Sequence, residues 1–185
     1  MRVAVAAVPA AIRGTTSVGD VVRLVIAAQH DDRAAFAELY ALYASTVHGI
    51  LLSRVPRADV DDLVQDVFLQ AMQRVRELRD PAAFAGWLAV IARNRAVDYF
   101  RQARPTSDLV DDVPSADPDR TEALAVLAII RTLPEAYRET LTLRLVEGFT
   151  GPEIAERTGL TEGSVRVNLH RGMKQLRERL ERRHA

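Results

Sequence analysis

The sequence predicts an all-α fold made of two small helical domains joined by a flexible acidic linker. Apolar residues recur at helical spacing over long stretches where Gly and Pro are sparse. Between 103 and 120 that period disappears among Pro105, Pro114 and Pro118. Ala, Leu, Arg and Glu dominate while aromatic residues are only 5% of the chain, which favours helix over strand. With 185 residues and 48% of them hydrophobic, the chain can bury one medium core or two small ones, and the break in pattern decides for two.

Residues 1–19 are expected to be a disordered leader, because the Ala/Val run from Met1 to Ile12 is broken by Pro9, ended by Arg13 and too short to span a bilayer. The first domain, 20–104, begins with two helical pieces. Val22, Val25 and Ile26 mark one; Phe36, Leu39, Tyr40, Tyr43 and Val47 mark the other; His30-Asp31-Asp32 separates them. Asp59, Asp61 and Asp62 then precede an amphipathic run carrying Val64, Val67, Phe68, Ala71, Val75 and Leu78, with Arg74, Arg76 and Arg79 near its end. Acid first and base last suits the helix dipole. Asp80-Pro81 stops that helix, and Phe84, Trp87, Leu88 and Ile91 open a fourth that runs through Arg101, completing a four-helix bundle. The linker, 105–120, carries five Asp flanked by Arg104 and Arg120, a local charge of about −3 that keeps it extended. Helical period resumes in 121–185 with Leu124, Leu127, Ile130 and Leu133, then Tyr137, Leu141 and Leu145.

Composition excludes several classes of chemistry. Lys and Arg number 25 against 25 Asp and Glu, so any basic surface is local rather than a coat. No cysteine is present, which removes disulfides, thiolate metal sites and cysteine nucleophiles and suits a reducing cytoplasm. His30, His48, His170 and His184 are too scattered for a metal site, and no phosphate loop or nucleophile elbow occurs. No cofactor, metal, small-molecule substrate or enzymatic activity is expected.

The most informative stretch is Phe149 to Met173, FTGPEIAERTGLTEGSVRVNLHRGM. Pro152 and Glu153 suit the first turn of a helix, Ile154 and Ala155 face inward, Gly159 permits a left-handed turn, and Val165 and Leu169 tie a second helix to the first. Thr161 is a natural N-cap for that second helix. This spacing describes a helix-turn-helix whose solvent face carries Arg166, Asn168, His170, Arg171 and Lys174. From Ser164 onward seven Lys or Arg face two Glu, a balance of about +5, where a groove-reading helix needs it. An ordinary solvated C-terminal helix is the bland alternative.

Three motifs in order then carry a resemblance. The first domain holds AFAELYALY, DDLVQDVFLQAM and AFAGWLAVIARNRAVDYFRQARP; the second holds LPEAYRETLTLRLVEGFTGPEIAERTGL and SVRVNLHRGMKQLRERL. From Asp20 onward the chain resembles the extracytoplasmic-function (group 4) sigma factors of the sigma-70 family, with sigma region 2 in the first domain and region 4 in the second. The resemblance implies an alternative sigma factor that binds core RNA polymerase and directs promoter-specific initiation.

It also implies roles for residues. The helix holding DDLVQDVFLQAM docks on the clamp helices of the largest polymerase subunit in the family, which carries over to Asp62, Gln65 and Asp66; region 4 meets the flap of the second subunit. The helix from Phe84 to Arg101 resembles the part that melts and captures the promoter −10 element. That points to Asn94 and the loop Glu77 to Ala83 for a flipped base, with Arg93, Arg95 and Arg101 for phosphates of the displaced strand. Trp87, Tyr99 and Phe100 read either as stacking platforms or as core. The second helix of the turn motif resembles the −35 reader, giving Ser164, Arg166, Val167, His170, Arg171 and Lys174. Many relatives have Ser then Arg after the position of Arg166, where this chain has Val167 and Asn168, so its −35 preference is expected to differ. Many members are also held inactive by an anti-sigma factor, which joins polymerase and promoter DNA as a candidate partner. The alternatives are a freestanding helix-turn-helix regulator that binds duplex DNA as a dimer, and a helical adaptor that binds no DNA.

Overall fold

The computed structural model describes residues 17–102 and 118–184, so most of the expected leader 1–19 and of the expected linker 105–120 lie outside the described residues. Among those described there are eight α-helices and no strand: α1 (Val18–Gln29), α2 (Arg33–Leu52), α3 (Val60–Arg74), α4 (Phe84–Gln102), α5 (Pro118–Arg131), α6 (Glu135–Leu145), α7 (Gly151–Thr158) and α8 (Glu162–His184).

Local chemistry fixes where they begin. α1 starts at Val18, ahead of the expected boundary at 20, because the Ser17 side chain accepts from the Asp20 N–H while the Asp20 carboxylate accepts from the Ser17 N–H, a capping box. Asp31 takes a left-handed backbone (φ 68°) between α1 and α2, a conformation Asp tolerates, and Asp32 then caps α2 by accepting from the N–H groups of Ala34 and Ala35. α3 carries Asp61 and Asp62 in its first turn and Arg74 in its last. α5 starts at Pro118, inside the expected linker, since a proline needs no N–H partner in a first turn.

α2 is the central element. It packs against α1, α3 and α4 of the first bundle and also against α6 and α7 of the second. By length and composition it could cross a membrane, yet half of its apolar window is buried inside the protein, as befits the middle of a core. The buried apolar cluster runs from Val25 through Leu39, Val67 and Leu88 on to Leu143, Ile154 and Val165, so it joins the bundles without a break. A smaller cluster of Ile130, Leu133, Leu141 and Leu176 lies within the second bundle. The two bundles are those the sequence predicts; their close packing on one another is a finding of the structure.

Phe84 anchors the first bundle. Its ring is wholly buried, 5.4 Å between centroids from Tyr43 and 5.8 Å from Trp87. Trp87 itself is half-buried against the core. Replacing Phe84 by Ala is expected to cost about 3–5 kcal/mol of stability, read as a lowered urea midpoint at unchanged slope. A loss under about 1 kcal/mol would mean that the site collapses around the gap.

Candidate nucleic-acid and polymerase interfaces

The helix-turn-helix forms as its residue types require. Thr150 caps α7 by accepting from the Glu153 N–H, and Glu153 reaches back to the Thr150 N–H at 2.7 Å. Gly159 ends α7 with φ 73°, the left-handed conformation that reverses the chain toward α8. Thr161 then accepts from the Ser164 N–H at 3.1 Å, and the Thr161 and Ser164 hydroxyls lie 2.8 Å apart. Ile154, Ala155 and Val165 are buried between the two helices. Of the expected −35 readers, Ser164 is exposed but tied into this cap, while Arg166, Val167, His170, Arg171 and Lys174 all stand in solvent. Ser164, Val167, Arg171 and Lys174 follow one helical stripe, opposite the stripe that buries Val165, Gly172 and Leu176.

α4 distributes its expected strand-capturing residues over three sides. Asn94 is exposed and shares an open stripe with Val90, Val97 and Arg101. The Arg101 side chain is 78% exposed and only loosely associated with Asp98 at 3.7 Å. Arg95 turns toward α3 and donates from Nη2 to Asp66 at 2.6 Å. That contact joins two residues expected to serve different partners, Asp66 for polymerase and Arg95 for DNA. Arg93 turns toward the second bundle and grips Glu139 through Nε (3.1 Å) and Nη2 (2.7 Å). In this conformation, therefore, Arg93, Arg95 and Arg101 do not form one phosphate-binding patch, because Arg93 and Arg95 turn to acids on other helices while Arg101 stays in solvent beside Asp98. Tyr99 donates to Asp59 at 2.8 Å and packs on the core edge, whereas Phe100 is exposed. On α3, Asp62 and Gln65 are exposed beside Leu69 and Met72. This gives an acidic and amide face bordered by apolar side chains, a surface suited to a basic helical partner.

Between the bundles lies a cluster that sequence reasoning missed. Glu139 of α6 is 4% exposed and receives Arg93 of α4 and Arg54, just past the end of α2, each at 2.7 Å. Arg54 also meets Glu135 at 2.7 Å. Other arginines of the second bundle donate to backbone carbonyls of the first. Arg131 reaches the oxygens of Leu52 and Val55 past the open end of α2, and Arg157 reaches Leu42 while lying over the rings of Tyr43 and Phe149. His48 and Glu147 pair across the same boundary at 2.7 Å. The one hint in the sequence is that α6 lacks a clean amphipathic face; in the structure Glu139 to Leu143 are five consecutive buried residues, as happens when a helix is covered on several sides.

Burial by itself would push the Glu139 carboxyl up. The hydrogen bond from Arg93 and the charges of Arg54 and Arg93 outweigh it, and the pKa lies below its ordinary value of 4.5. Burial likewise acts to lower the pKa of Arg93, and its bond to Glu139 and the nearby charges raise it instead. The stabilisation Glu139 provides is thus whole at neutral pH and is lost as pH falls below 4.5 through the lowered pKa. Unfolding measured from neutral pH into that acid range is expected to show a steeper stability loss for wild type than for Glu139→Gln; parallel curves would contradict the shift.

Comparison with known proteins gives the family. Residues 39–106 match Sigma-70 region 2 and residues 123–176 match Sigma-70, region 4. The chain is 33% identical over 159 residues to the ECF RNA polymerase sigma factor SigF of Caulobacter vibrioides, covering 82% of this chain and 88% of that one. It is 30% identical to the ECF RNA polymerase sigma-E factor of Haemophilus influenzae, covering 85% and 94% respectively. Among solved structures it is similar to CnrH in complex with the cytosolic domain of CnrY, with a TM-score of 0.63, 25% identity and coverage of 87% and 97%. Two regions in the expected order and full-length relatives favour an initiation factor over a freestanding regulator, and the chain belongs to the extracytoplasmic-function RNA polymerase sigma factors of the sigma-70 family.

Proposed function

We propose a division of labour in which α4 captures the melted −10 strand, α8 reads the −35 duplex and α3 docks on polymerase. The observation that carries it is the presence of two exposed surfaces on separate bundles, Asn94 with Arg101 on α4 and Arg166, Val167, His170, Arg171 and Lys174 on α8. A flipped base needs a hydrogen-bonding side chain beside phosphate-holding cations, which Asn94 and Arg101 supply, with Arg93 and Arg95 as reserves when their ion pairs open. In a major groove, Arg171 can grip a guanine edge bidentately and Val167 can contact a thymine methyl. Asp62 and Gln65 meet the clamp helices of the largest subunit, with Asp66 alongside, and the second bundle meets the flap of the second subunit. Polymerase supplies all the chemistry, and the chain works beside it in the cytoplasm with no cofactor. CnrH is recorded with the cytosolic domain of CnrY, and an anti-sigma factor is proposed as a partner here by analogy.

Run-off transcription with core polymerase and fragmented bacterial DNA tests the reading. Specific transcripts that depend on the chain are expected, and duplex binding without initiation would contradict it. On a promoter so recovered, Arg171→Ala should weaken −35 recognition by about 1–3 kcal/mol without altering the fold. Undiminished −35 discrimination would remove its role. Replacing Asp62 and Gln65 by Ala should weaken assembly with core polymerase, and normal assembly would remove the docking role.

A further inference from the structure

The chain that enters α4 is held by a strap from α1. Segment 75–83, between α3 and α4, forms a 3-10 turn at Val75–Glu77, runs extended at Leu78 (φ −71°, ψ 108°) and Asp80 (φ −113°, ψ 103°), and closes a second 3-10 turn at Pro81–Ala83. Its inner side faces the core, with Val75 buried and Leu78 half-buried, whereas Arg79, Asp80, Ala82 and Ala83 stand in solvent. Counted back at helical spacing from Arg101 through Val97, Asn94 and Val90, the open stripe of α4 points to this segment at Ala83.

Gln29, the last residue of α1, crosses to the segment. Its side-chain nitrogen donates to the Val75 carbonyl oxygen at 3.0 Å and to the Leu78 carbonyl oxygen at 2.7 Å. Both partners are acceptors, so both N–H groups of the amide are engaged. The bonds fall on the residue that ends α3 and on the first extended residue after it. They therefore fix where the chain leaves the helix and which way it then runs. Gln29 has a firm base: it lies one turn beyond buried Val25, and the end of α1 is closed by the His30 and Asp31 N–H groups donating to Ala27 and Ala28. The neighbouring ion pair of Arg76 with Asp31 joins side chains 60% and 78% exposed and contributes little.

We propose that Gln29 is a positioning residue for −10 recognition: by pinning the carbonyls of Val75 and Leu78 it sets the path of loop 77–83, and with it which base fits beside Asn94. The inference rests on α4 and this loop taking up a flipped base. A pocket for an extruded base discriminates only when its wall is fixed, because a wall that yields admits the wrong base at little cost. Gln29 supplies that stiffness from the core side of the loop and acts through the backbone, without contact to DNA.

Polymerase holoenzyme reconstituted with the full chain tests this on a promoter recovered by run-off and on its single-base −10 variants. Gln29→Glu keeps the side-chain shape but has no N–H to donate when ionised, and Gln29→Lys restores donors without an acceptor. Gln29→Glu is expected to reduce the preference for the cognate base at one −10 position several-fold, with affinity for core polymerase and discrimination at −35 unchanged. Gln29→Lys should retain most of that preference. In the free chain, hydrogen exchange should show the amides of 76–83 opening several-fold faster in Gln29→Glu, with those of α2 unchanged. Full −10 discrimination in Gln29→Glu, or an equal loss of transcription on every template, would overturn the proposal, as would a Gln29→Lys variant no better than Gln29→Glu. Asn94→Ala, measured in parallel, separates the two readings. If it leaves −10 discrimination whole, the reading of α4 fails; if it flattens discrimination while Gln29→Glu does not, only the role of Gln29 fails.

Discussion

Glu139 lies where α2, α4 and α6 converge, and the arrangement of the whole molecule depends on how its charge is met. A carboxylate with 5% of its side chain exposed is costly unless paired, and here two guanidiniums from the first bundle meet one acid from the second. Glu135 brings a further acid to Arg54. Two cations and two acids then balance at a boundary that the apolar cluster also crosses. A buried network of this kind adds little net stability compared with apolar packing, but it makes other relative placements of the bundles expensive, since each would leave an ion buried and unmatched.

Around that centre the second bundle uses arginine in a consistent way. Arg131 and Arg157 donate to carbonyl oxygens of the first bundle rather than to acids. Carbonyls beyond the end of a helix have no intrahelical partner, so Leu52 and Val55 are natural acceptors. Such contacts are polar and reversible, and they coexist with an apolar cluster that passes from Leu39 to Leu143 and Val165. The second bundle is thus held on the first by polar contacts and by that continuous apolar cluster together.

Most of the fold was legible in the sequence because it depends on local rules. The periods of Phe36 to Val47 and Val64 to Ala71, the break at Asp31-Asp32, and the turn at Gly159 are written in neighbouring residues, and the structure follows them; α3, however, ends at Arg74, short of the expected stop at Asp80-Pro81, and gives way to a 3-10 turn at Val75–Glu77 with Leu78 extended. Boundaries at Val18 and Pro118 shifted by two or three residues, since a capping box and a first-turn proline extend helices beyond the apolar pattern. The exposed face of α8 was legible for the same local reason. What escaped was long-range: Arg93 and Glu139 are 46 positions apart, and Arg157 and Leu42 are 115 apart. Periodicity cannot report which distant helix will lie across a given face. A cluster of Arg93, Arg95 and Arg101 therefore looked like one cationic patch until α3 and α6 supplied their acids.

The central claim is that the Arg93–Glu139 contact couples the two bundles energetically. A double-mutant cycle in the full chain, comparing urea unfolding of wild type, Arg93→Ala, Glu139→Ala and the double variant, measures that coupling directly. The account predicts an interaction of about 1–3 kcal/mol, with the double variant losing less than the two single losses together. Strict additivity would contradict it, because the two residues would then stabilise their bundles independently.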